Sequence, residues 1–205
     1  MAKHPSSAFI PKSSRRTWLY ASALATFGSC LPVAGADQFS RMRQGEHAAA
    51  GHLVPDLLAA FKVSHTYSME CAQSMPEAHY AFRPVPDERS FGQQMVHIAE
   101  TLSAIYDMSV EENPPAKDQP FSEAGLEPVK SKLDVLNKVE SAFLQVEKGV
   151  ARLSDTMLDK RVELLAQPAT KLRVLQFLLE HTAHHRGQTV VYMRLKGVTP
   201  PAFRA

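Results

Sequence analysis

Three histidines fall within five positions in the stretch EHTAHHRGQTVVYMRLKG, from Glu180 to Gly197. Imidazole both titrates near neutral pH and, in its neutral form, ligates transition metals. Spacing separates the three rings. Val174, Leu178, His181, His185, Gln188, Tyr192 and Leu195 recur at steps of four and three, which is one face of a helix. Apolar residues hold both ends of that stripe and polar ones its middle. His181 and His185 are therefore expected to face inward, one turn apart, with β-carbons about 5–6 Å from each other. Two rings so placed can converge on one ion. His184 is rotated about 60° off the stripe and is expected beside the ligand set or in solvent.

Burying two imidazoles without partners costs a few kcal/mol. A bound cation would satisfy both, and so would backbone, water or Gln188. A third ligand has to come from another helix. His97, beside Ile98 on the inward side of the second helix, is the leading candidate, and His65, on the stripe of the first, is its competitor. His47, His52 and His79 fall in the approach or near loops and read as solvated. Gln188 could position water or substrate. Arg186 reads as a solvated charge or as a contact for an anionic substrate at the rim. Gly187, roughly 1 kcal/mol worse than alanine inside a helix, reads as a point of close approach or as a tolerated glycine. No HExxH stretch is present, and no glutamate has a histidine three residues later, so the zinc-protease and di-iron carboxylate patterns are excluded.

Four amphipathic helices are expected to carry these residues. The first has the stripe Val54, Leu58, Phe61, His65, Ser68, Ala72 and Met75 and stops at Pro76. After the proline-containing loop RPVPDERS, Ser90 and Gln93 form a capping box that opens the second. Its stripe is Phe91, Met95, Ile98, Leu102 and Ile105, and ENPPAKDQP ends it. The third reads Leu126, Val129, Leu133, Leu136, then Phe143, Val146, Val150 and Leu153. The fourth begins after Pro168, with Thr170 as its cap, and ends at Gly197. No run alternates convincingly enough for a strand. An all-α four-helix bundle follows.

The chain has 205 residues, 44% of them hydrophobic, enough for one well-packed domain. The net charge of +2 is unevenly placed: residues 1–36 hold Lys3, Lys12, Arg15 and Arg16 and no acid, so the remainder carries −2. That balance gives no nucleic-acid-binding face. Residues 1–36 have the layout of an export signal, with a basic end, the apolar run TWLYASALATFGSCLPV, and Ala34 and Ala36 before Asp37. Cleavage is expected after Ala36, leaving an exported, periplasmic or secreted domain with no stable membrane insertion. Ser14-Arg15-Arg16-Thr17-Trp18-Leu19 resembles a twin-arginine motif. Residues 37–52 read as a flexible approach and 53–205 as the bundle. Cys71 would then be the only cysteine left, unable to make an internal disulfide. It is a poor catalytic thiol, because no basic neighbour in sequence lowers its pKa.

Taken together, YAFRPVPDERSFGQQMVHIAE (Tyr80 to Glu100), EHTAHHRGQ and VVYMRLKGVTPP resemble the DinB-like superfamily of helical-bundle metalloproteins, over the chain from about Leu53. The resemblance implies an up-down-down-up bundle with one divalent ion, zinc or nickel, on His97, His181 and His185. It further implies hydrolysis or thiol-dependent transfer on an unidentified small molecule. A non-catalytic metal-containing binding or structural module is the alternative, and a homodimer is an assembly left open. The export signal is a departure from the family.

Overall fold

The computed structural model describes residues 52–113, 129 and 131–204. The export signal, its twin-arginine motif, most of the approach and Leu126 lie outside the described residues.

Helix α1 (Leu53–Ser74) ends where Met75 turns extended ahead of Pro76. A short 3-10 turn at Glu77–His79 leads into the loop. Ser90 then accepts a hydrogen bond from the Gln93 amide while the Gln93 side chain accepts one from Ser90 N, so α2 (Phe91–Ile105) opens on a complete capping box. Its last turn widens into a π turn at Tyr106–Val110. Helix α3 spans Lys132–Val150, capped by Ser131. A single turn, α4 (Asp155–Leu158), precedes strands β1 (Arg161–Leu164) and β2 (Gln167–Thr170). Helix α5 (Lys171–Leu195) starts on the Thr170 side chain, which accepts from the Arg173 amide.

Direction follows from which residues meet. Lys132 at the start of α3 donates to Gln73 and Met75 at the end of α1, so these two run antiparallel. Glu100 pairs with Lys138 and Asp107 with Gln145, so α2 and α3 run parallel. Gln94 meets Tyr192 while His97 meets His181, so α2 and α5 are antiparallel. The four long helices are therefore up-down-down-up. Each of α1 and α2 packs on both α3 and α5. Phe61, Phe91, Met95, Ile98, Phe143, Val146, Val174 and Leu178 are among the fully buried core residues. Burying each large apolar side chain is worth roughly 1.5–3 kcal/mol.

Three expectations need correction. First, β1 and β2 form an antiparallel hairpin, Arg161 opposite Thr170 and Leu164 opposite Gln167, where no strand was foreseen. Its turn residues Leu165 and Ala166 both have positive φ, 50° and 61°, a conformation usually given to asparagine or glycine. Second, Leu133 is exposed and the buried face of α3 begins at Val135 and Val139. Val129 lies ahead of the helix, where its side chain packs on Gly92. Third, Leu195 is exposed at the end of α5, and Met193 takes the core position instead.

Two contacts fasten the ends of elements. The Asp155 carboxylate accepts from the amides of Leu53, at 3.3 Å, and Val54, at 3.0 Å, capping α1 from far along the chain. Buried Lys171 donates to the Val110 carbonyl at 2.5 Å and pairs with Glu112 at 3.0 Å, tying the π turn to the start of α5. Cys71 is buried, and burial pushes its thiol up to about 11, which keeps it unreactive. No described helix is long and apolar enough to cross a membrane.

Candidate metal centre

Antiparallel packing of α2 on α5 places His97 opposite His181 and His185. Ring centroids stand 4.9 Å apart for His97–His181, 4.4 Å for His97–His185 and 4.4 Å for His181–His185. One nitrogen from each ring lies within 4.8 Å of the other two. His97 Nε2 and His181 Nε2 are 3.2 Å apart. Two nitrogens on one tetrahedral ion, each about 2.0–2.1 Å from it, would be about 3.3 Å apart. His181 Nδ1, meanwhile, is buried with no hydrogen-bond partner. Orphaning a buried polar atom costs about 1–3 kcal/mol, a cost that an ion on Nε2 would not remove, so the fit rests on the spacing of the nitrogens. The donor set fits a divalent ion.

The third ring is oriented by amides. His185 Nδ1 donates towards Gln94 Oε1 at 2.8 Å and Gln188 Oε1 at 3.1 Å. Gln94, almost fully buried, is itself held by its amide donating to the Tyr192 hydroxyl at 3.4 Å. With its proton on Nδ1, His185 keeps a lone pair on Nε2, the state a metal ligand needs. Sequence reasoning missed Gln94 and the role of Tyr192. The signal for Gln94 was a polar side chain three residues before His97 on a helix buried on most sides.

Electrostatics keep two of these rings neutral. Burial, then the charges of His97, His184 and Arg89, lowers His181 to about 4. Burial, then His181 and His97, lowers His185 to about 3, against a small opposing effect from Gln188. Neutral imidazole is the ligating form.

The remaining candidates lie elsewhere or play other parts. His65 sits between α1 and α3, its Nδ1 2.8 Å from Glu147 and its Nε2 3.0 Å from Glu140. His184 is exposed, edge-on to His185 at 4.9 Å and 3.4 Å from the Gln188 amide. Arg186 points to α1, donating to Ser64 Oγ at 2.9 Å with its guanidinium 4.6 Å above the Tyr67 ring. Its guanidinium is thus engaged on α1, half-buried between the two helices. Gly187 has open space where a β-carbon would stand, so no close approach within the chain explains it. A groove of about 580 Å³ opens between α2 and α3 along Glu100 and Lys138, and no histidine lines it.

Comparison with known proteins agrees with this architecture. The family model described as DinB superfamily matches residues 60–189. YjoA of Bacillus subtilis, an uncharacterized protein, is 26% identical over 153 residues, 72% of this chain and 93% of its own length. YrdA of the same organism, also uncharacterized, is 35% identical over 68 residues, 33% of this chain and 40% of its own. Among solved structures, a DinB-like protein from Bacillus cereus superposes with a TM-score of 0.61 at 16% identity, covering 72% of this chain and 95% of that one. The crystal structure of YjoA gives 0.59 at 22% identity, covering 72% and 96%. These structural likenesses speak to the fold.

Proposed function

The chain belongs to the DinB superfamily, and on that premise we propose that it is a metalloprotein holding one divalent ion on His97, His181 and His185, acting on a small molecule. The observation that carries the reading is the convergence of three imidazole nitrogens to within 4.8 Å across two helices. An all-imidazole set suits zinc, copper, iron and nickel, and zinc or nickel is the occupant we propose. Three protein ligands leave a position open to a substrate, and there a bound divalent ion supplies Lewis-acid polarisation. Metal-assisted hydrolysis, or transfer to a thiol, is the proposed chemistry.

This chain's residues supply the rest of the setting. Gln94, braced by Tyr192, fixes the His185 tautomer. Gln188 lies beside both His185 and His184, with its amide turned to His184, where it can hold a polar substrate atom. Burial of His181 and His185 excludes a proton from the lone pairs the site needs.

A closed, non-catalytic site is the second reading. His184, 4.9 Å from His185 between ring centroids, is near enough to supply a fourth nitrogen after a side-chain rotation. Elemental analysis of the purified domain tests both readings. We expect one divalent ion per chain, lost in His181→Ala and kept in His184→Ala. Loss on His184→Ala would favour the closed site, and an unchanged metal content in His181→Ala would remove the proposal.

A further inference from the structure

Helix α5 buries its histidine-bearing stripe and turns another face wholly to solvent. Glu180, Ala183, Gly187, Val191, Arg194 and Leu195 are all exposed and lie within about 120° of arc on the helix. Scattered apolar side chains on a surface are ordinary. Here Ala183, Gly187, Val191 and Leu195 stand in one row at steps of four, with Val191 51% and Leu195 59% exposed. Glycine is also the poorest helix former after proline. No atom within the chain stands within 4 Å of where a β-carbon on Gly187 would be, so intramolecular packing makes no use of it. Seen from outside, it lowers the ridge and lets another backbone come close.

The charges choose the partner. Glu180 lies seven residues before Gly187 and Arg194 seven after it; Ala183 lies four before and Val191 four after. Contacts across a twofold axis are reciprocal. A second copy of α5 laid antiparallel on the first, with the axis at Gly187, therefore sets each Glu180 against the partner's Arg194 and each Ala183 against the partner's Val191. Seven residues are about two turns, so these positions stay in register at a shallow crossing of about 20°. Parallel packing would instead set Glu180 on Glu180 and Arg194 on Arg194. Glu180 already meets Arg173 of its own helix through Oε2, at 3.2 Å, and a carboxylate can accept from a second guanidinium as well.

We propose that this face of α5 joins two copies of the chain as an antiparallel helix pair with its twofold axis at Gly187. The pairing does not depend on the metal reading, but it bears on the site. His184 lies on the same exposed side with its ring 4.9 Å from that of His185, so the second chain borders the tri-histidine site on that flank. One pair of helices is a small interface, and the dimer is expected to be weak, with a dissociation constant on the order of micromolar.

Analytical ultracentrifugation over a concentration series tests it. The wild type is expected to pass from monomer to dimer across the micromolar range. Glu180→Arg and Arg194→Glu each place like charges together twice across the axis, and each should weaken self-association by at least about tenfold. Mixed with one another, the two variants regain both opposite-charge pairs and should associate about as tightly as the wild type. Gly187→Leu adds a side chain where a single chain has open space, so it should abolish the dimer and leave the helical circular dichroism intact. A wild type that stays monomeric would overturn the proposal and leave the face to a partner of another kind. A dimer that survives Gly187→Leu, or reversed variants that fail to pair when mixed, would overturn it too.

Discussion

The imidazole of His65 lies flat against the ring of Phe143, centroids 4.8 Å and planes 5° apart, with a glutamate on each of its nitrogens. A histidine on an inward stripe is thus not by itself a ligand: here it joins α1 to α3. His65→Ala should strip the cover from Phe143 and leave Glu140 and Glu147 without their shared partner. We expect a loss of about 2 kcal/mol in a denaturant melt, with the metal content unchanged. Loss of metal from this variant would place His65 in the site after all.

Two glycines should respond in opposite directions. The Tyr106 hydroxyl occupies the space a β-carbon on Gly149 would need, and ring atoms crowd it further. Gly149→Ala should therefore destabilise by about 1–3 kcal/mol through overpacking. Gly187 is exposed within α5 with nothing nearby, so Gly187→Ala should stabilise by up to about 1 kcal/mol. Thermal melts of the two variants check both signs, and a destabilised Gly187→Ala would mean its backbone freedom is used.

Stability of the metal-free protein should fall with acid. Folding lowers His181 to about 4 and His185 to about 3, against 6.5 for an unperturbed ring. The unfolded chain therefore binds these protons more readily. Stability is greatest above about 6.5 and declines as pH drops towards the folded values. Melting temperature measured against pH in the presence of a chelator should show this slope, and His185→Gln should flatten it. A wild-type curve level between those limits would show the rings are not held neutral.

Residues 1–36 carry the proposed export signal, and the route can be tested directly. Replacing Arg15-Arg16 by Lys-Lys keeps the charge and removes the twin arginine. We expect the mature domain to accumulate in the cytoplasm. Normal delivery to the periplasm would point to the general secretory route, as for an ordinary basic leader.

How much was legible depended on the length over which a pattern repeats. The steps of four and three through His181 and His185, the Ser90–Gln93 box and the Thr170 cap are local signals, and each lies where its spacing placed it. The hairpin was hidden because its strands are four residues each and its turn uses Leu165 and Ala166 instead of Asn-Gly. Along α3, an apolar run that began before the helix shifted the assigned face, since Val129 packs on the core from ahead of the helix. Gln94 and the partners of His65 are matters of tertiary distance. A polar residue beside a cap looks like surface until another helix is laid against it.

The amides that begin α1 are capped by a carboxylate about a hundred residues further on, since Asp155 is 101 positions after Val54. During synthesis the first turn of α1 leaves the ribosome long before its cap exists. That turn gains its cap only after α3 has been made and α4 has docked. In the finished protein the same coupling makes the first turn open together with α4.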